Sequence, residues 1–83
     1  VKRVNIEYTK QAVKQLERFD RPTKQRLKEA IEKIPNGDVK RLQNVMPVTF
    51  RLRVGDLRVL FTMSSEIVTV KNILSRGEAY KRV

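Results

Sequence analysis

The 83-residue chain has no cysteine, no histidine and no tryptophan, and it is short of acids, with 9 Asp and Glu against 19 Lys and Arg. Without cysteine or histidine, disulfide staples, Cys/His zinc sites and histidine-based acid–base chemistry are all excluded. A domain this small that does without disulfides points to a reducing, cytoplasmic compartment. No apolar run approaches the ~18 residues of a membrane span. The opening VKRVNIEYTK does not read as a signal peptide, so no insertion into a membrane is expected. Repeats, low-complexity tracts and linkers are also missing, which leaves a single domain over 1–83 that can bury ~60 to 65% of the surface of its unfolded form. Nothing implies a metal or an organic cofactor.

What the chain does have is positive charge, a formal net +10. Solubility requires far less, and such an excess draws in polyanions and speeds encounter with them. Nucleic acid, an anionic membrane surface and an acidic protein all remain candidates on charge alone.

Its arrangement is more informative than its size. Residues 48–58, VTFRLRVGDLR, read as a hairpin turning on Gly55-Asp56, a glycine-first two-residue loop suited to a II′ or I′ turn. That turn pairs Val54 with Leu57, Arg53 with Arg58, Leu52 with Val59 and Phe50 with Phe61. A period of two then sends Phe50, Leu52, Val54, Leu57, Val59 and Phe61 to one face and Arg51, Arg53 and Arg58 to the other. Like charges directly opposite on adjacent strands are destabilising, so Arg53 facing Arg58 suggests an anionic partner rather than a folding requirement. If Ser64-Ser65 forms the next turn, Phe61 faces Val68, Val59 faces Val70, and Lys71 comes beside Arg58 as a fourth cation.

The remaining elements follow from periodicity. Residues 3–8 alternate as a strand, with Val4, Ile6 and Tyr8 on one side. Thr9 can cap a helix over 10–19 bearing Ala12, Val13, Leu16 and Phe19, and a second helix over 22–34 carries Leu27, Ala30, Ile31 and Ile34. The turn signal Pro35-Asn36-Gly37-Asp38 ends it. Residues 40–46 read ambiguously, a three-strand meander runs from Val48 to Ile73, and 74–83 is short and charged. The order β-α-α-β-β-β predicts an α+β fold, a helical hairpin on one face of a four-stranded, mainly antiparallel sheet, with the other face partly open. Arg51, Arg53, Arg58, Leu60, Thr69, Lys71 and Ile73 are expected on that open face, with Arg76 and Tyr80 following in sequence.

This pattern, FRLRVGDLRVLF followed by EIV and by SRGEAYKR, together with the element order, length and charge, resembles the RelE/ParE superfamily of type II toxin–antitoxin toxins over nearly the whole chain. The resemblance marks the superfamily better than the activity. RelE-like members cleave messenger RNA in the ribosomal A site, and ParE-like members poison DNA gyrase. It implies a cognate antitoxin in a hetero-oligomer and, on the RelE reading, the ribosome and mRNA as partners of a metal-independent endoribonuclease. Carried over by position, it gives Arg58, Arg76 and Tyr80 as catalytic residues and Arg51 and Arg53 as RNA-binding ones, and the expected register adds Lys71 to the RNA-binding set. RelE relatives tend to have lysine at the first two positions, where this chain has Arg51 and Arg53. Arginine suits phosphate but is a poor base, because its pKa above ~12 leaves almost no neutral form. Lys71 and Tyr80 are the candidates for moving a proton. A gyrase-directed toxin and a non-catalytic RNA-binding module are the alternatives.

Overall fold

A computed structural model describes residues 5–34 and 36–75, in the order β1 (Asn5–Tyr8), α1 (Lys10–Glu17), α2 (Arg21–Glu32), β2 (Val39–Arg41), β3 (Phe50–Val54), β4 (Leu57–Ser64) and β5 (Ile67–Ser75). Both helices begin on side-chain caps. Thr9 is extended, and its hydroxyl accepts the Ala12 N–H at 3.1 Å. Asp20 does the same for Thr23 N–H at 3.1 Å, and Pro22 falls in the first turn, where its missing N–H leaves no hydrogen bond unmade. The hydrogen bonds from Thr23 hold the Asp20 carboxyl below its ordinary pKa.

The sheet has five strands, ordered β1-β5-β4-β3-β2, with β1 parallel to β5 and every other pair antiparallel. The α+β class, with two helices packed on a sheet, is as expected, but the sheet gains a strand. The addition is β2, in the stretch whose pattern was ambiguous. Three residues are too few to alternate, and backbone bonds from Arg53 N to Asp38 O (3.0 Å) and from Leu42 N to Thr49 O (2.9 Å) bracket the pairing.

The β3–β4 register is the one the turn predicts, pair for pair. The β4–β5 register is not. The turn falls one residue later, with Ser65 at φ 54° and Ser64 opposite Ile67, so Phe61 faces Val70 rather than Val68. A bulge then follows. Phe61 pairs with Val70 and Leu60 with Asn72, leaving Lys71 as an extra residue.

Two side chains support that bulge. β1 stops at Tyr8, opposite Val70, so β5 loses its neighbour on that side from Lys71 onward. There the Thr9 hydroxyl donates to Lys71 O at 3.2 Å, and Gln15 Oε1 of α1 accepts the Ile73 N–H at 2.6 Å. Beyond the bulge the parity of β5 is reversed. Ile73, expected on the open face, is buried in the core, and Asn72 takes the far side.

The core lies between helices and sheet: Ala12, Leu16, Leu27, Ile31 and Ile34 from the helical side meet Leu52, Val54, Val59, Phe61, Val68, Val70 and Ile73. Phe50 stacks on Phe61 with ring centroids 5.6 Å apart. Tyr8 packs at the margin, where burial first, and the nearby Glu32 charge second, push its hydroxyl above the usual pKa.

Two stability measurements check these supports. Gln15→Ala strips a part-buried N–H of its acceptor and should cost about 1–3 kcal/mol in urea unfolding, with faster exchange of the Ile73 amide. Gln15→Glu, which keeps the acceptor, should cost less. For Asp20, whose pKa is lowered on folding, the carboxylate's contribution is complete above its unfolded value and is lost as pH falls through its folded value. The stability difference between wild type and Asp20→Asn should therefore shrink on acidification below the ordinary aspartate range.

Candidate nucleic-acid interface

Gly55 and Asp56 join β3 to β4, and only the glycine has a positive φ, +59°, as a II′ turn requires. On the sheet face turned away from the helices, this turn and the β2 pairing set four cations in two adjacent rows. Lys40 lies opposite Arg51, and Arg53 lies opposite Arg58. The fourth member expected from sequence, Lys71, is exposed at the bulge, and the partner of Arg58 on β5 is Leu74. The later turn and the extra residue at 71 account for the difference. Lys40, in the ambiguous stretch, takes that place in the patch, and no pattern in residues 39–41 pointed to it.

The four cations are not equivalent. Lys40 and Arg53 are exposed. Arg51 is half-buried; its Nη2 donates to Asp38 Oδ1 at 3.2 Å, while its Nε is buried with no hydrogen-bond partner. Arg58 is only 4% exposed. Its Nη1 donates to Gly55 O at 3.1 Å and Leu57 O at 3.0 Å. This answers the repulsion between Arg53 and Arg58. One guanidinium turns back onto the carbonyls of its own hairpin, the other stays in water, and the pair stands in register without sharing a space.

Next to these rows the face is less charged. Leu60 lies between Arg51 on β3 and Asn72 on β5 in one cross-strand line. Asn72 Oδ1 is buried and unpaired, as Arg51 Nε is. Thr69 is on this face too, between Glu7 and Thr62. Leu74 is buried beside Arg58 and outside the main core. Arg76 and Tyr80 lie outside the described residues. Among the described residues no group of acids could hold a metal ion. The arrangement can grip a phosphodiester and oppose negative charge developing on it, since guanidinium donors match phosphate oxygens.

Comparison with known proteins identifies the family and the fold. The family model described as ParE toxin of type II toxin-antitoxin system, parDE, matches residues 6–80. A search of curated proteins by sequence finds no significant match. Among solved structures, the chain resembles a chain of the RelBE2 toxin–antitoxin complex of Mycobacterium tuberculosis, with a TM-score of 0.78 and 18% identity over 90% of this chain and 100% of that one. It also resembles a chain of the archaeal RelE–RelB complex of Pyrococcus horikoshii, with a TM-score of 0.72 and 22% identity over 92% and 98% of the two chains. A third similar structure is a double arginine-to-alanine mutant of Escherichia coli RelE in the free state, at TM-score 0.66 and 18% identity, covering 99% of each chain. At such identities the likeness is one of fold.

The turn that creates the patch is open to a direct test. A Cβ at Gly55 would sit 3.1 Å from Arg26 Nη2 and would force a positive φ on an L-residue. Gly55→Ala should cost about 1–2 kcal/mol by denaturant melt, the usual penalty for a left-handed residue with a Cβ.

Proposed function

This chain belongs to the ParE toxin family, within the RelE/ParE superfamily, and is thus a toxin of a type II toxin–antitoxin module; we propose that it halts translation by cutting messenger RNA in the ribosomal A site. The observation that carries this reading is the patch of Lys40, Arg51, Arg53 and Arg58 on the face away from the helices. An acidic antitoxin segment that folds on binding is the partner such a surface suits, and the relatives solved as RelE–RelB complexes support one.

The chemistry needs no protein nucleophile. The 2′-oxygen attacks the adjacent phosphorus and gives up its proton, and the bond to the 5′-oxygen breaks as that oxygen gains one. The products are a 2′,3′-cyclic phosphate and a 5′-hydroxyl. Arg51 and Arg53 hold the backbone. Arg58 acts from beneath, where exclusion of water lengthens the reach of its charge, and with Arg76 it opposes the negative charge building on the phosphoryl oxygens. Neither Arg51 nor Arg53 can remove the proton. Lys71 stands away from Arg58, whose partner on β5 is Leu74, and Tyr80 remains the residue of choice for stacking or proton transfer.

The family model favours a second reading, in which the same scaffold inhibits DNA gyrase and cuts nothing. Purified protein added to translating ribosomes separates the two. The first reading expects breaks at A-site codons with 5′-hydroxyl ends, slowed by the order of 10² to 10³ in Arg58→Ala and Arg76→Ala. Inhibited supercoiling with intact mRNA would favour the second. Wild-type cleavage rates in both variants would overturn the assignment of Arg58 and Arg76.

A further inference from the structure

The far face holds two buried polar atoms that the fold leaves unused, and both lie in one line across three strands. Arg51 Nε on β3 and Asn72 Oδ1 on β5 have no hydrogen-bond partner, and Leu60 on β4 stands between them. One atom is a donor and the other an acceptor, and each carries a desolvation cost that a hydrogen bond would recover. Neighbouring strands lie about 4.8 Å apart, so the two ends of the line are roughly 10 Å apart at the backbone. That span is on the scale of a nucleotide lying across a leucine.

Both ends of the line are held from outside. Asp38 fixes the outer nitrogen of Arg51. Asn72 faces this side only because the bulge at Lys71 reverses the strand, and Gln15 secures the next backbone N–H. An asparagine whose carbonyl oxygen is buried and idle is a poor choice for stability alone.

We propose that Arg51, Leu60 and Asn72 form a base-reading subsite in which Asn72 determines specificity. A nucleobase packs on Leu60, and Asn72 turns outward so that its Oδ1, buried in the free protein, accepts a hydrogen bond from the base's exocyclic amine. Adenine and cytosine carry such an amine at the edge they present, and uracil does not. Arg51 Nε donates to an acceptor on the same nucleotide. The subsite rests on the RNA-directed reading given above and adds to it a bias against uracil at one position.

The test measures binding of the purified toxin to 5′-labelled octaribonucleotides A8, C8 and U8 by fluorescence anisotropy at low salt, for wild type, Asn72→Leu and Asn72→Asp, with melting temperatures alongside. The inference expects wild type to bind A8 and C8 roughly tenfold more tightly than U8. It expects Asn72→Leu to lose the difference while melting no lower than wild type, and Asn72→Asp, which keeps an acceptor, to retain the difference with weaker binding to all three. A wild type that binds the three alike, or an Asn72→Leu variant that still discriminates, overturns the subsite and leaves an RNA-directed toxin standing. A protein that binds none of the three overturns the subsite, and the RNA-directed reading is then overturned only if translating ribosomes also keep their mRNA intact.

Discussion

Charge and core are sorted by one short turn. Gly55, at φ +59°, closes the β3–β4 hairpin on two residues, and from that register Leu52, Val54, Val59 and Phe61 go toward the helices while Arg51, Arg53 and Arg58 go away. A slip of one residue would put the aromatic and branched side chains into water and the guanidiniums into the core, so the register is enforced by both faces together. The turn is then used a second time, because its own carbonyls, at Gly55 and Leu57, receive Arg58. A buried cation is tolerable only when it is hydrogen-bonded, and here the peptide groups that bring Arg58 and Arg53 opposite each other also provide that bonding.

The second organising feature is the interruption in β5. A regular strand would have run on as alternation predicts, with Lys71 and Ile73 on the charged side. Instead the neighbouring strand ends at Tyr8, and the backbone groups of β5 that it would have paired turn to side chains: Thr9 for one carbonyl, Gln15 for one N–H. The helices therefore do more than cover the sheet, since α1 finishes its hydrogen bonding. The reversal keeps Ile73 dry and turns Asn72 toward the cations.

These two features also mark what was legible in the residues. The hairpin at 50–61 was legible because its glycine, its aromatic ends and its six alternating apolar positions all gave one register. Thr9 announced the start of the first helix for a similar reason, through a cap the structure bears out. The bulge was not, since it depends on where a different strand stops and on a glutamine 58 residues away in sequence. β2 was missed because its pairing is made by backbone alone, over three residues. Among the site residues, Arg51, Arg53 and Arg58 stand on the expected face, yet their unequal burial could not be read from a pattern that treats all arginines alike. Leu60 was expected on that face. Asn72 was not, and no local signal pointed to it.

The parallel pairing of Asn5–Tyr8 with Ile67–Val70 has a consequence for how the molecule comes into being. The strand made first among those described has no neighbour except the strand made last, and that last strand lies inside the sheet, between β1 and β4. Contacts so distant along the chain close slowly, because the loop entropy must be met before any contact compensates for it. The β2–β4 meander can assemble while synthesis continues, but β1 has nowhere to dock until residues 67–70 have been joined to the growing chain. The sheet is therefore completed from its middle, and only once β5 has cleared the ribosome.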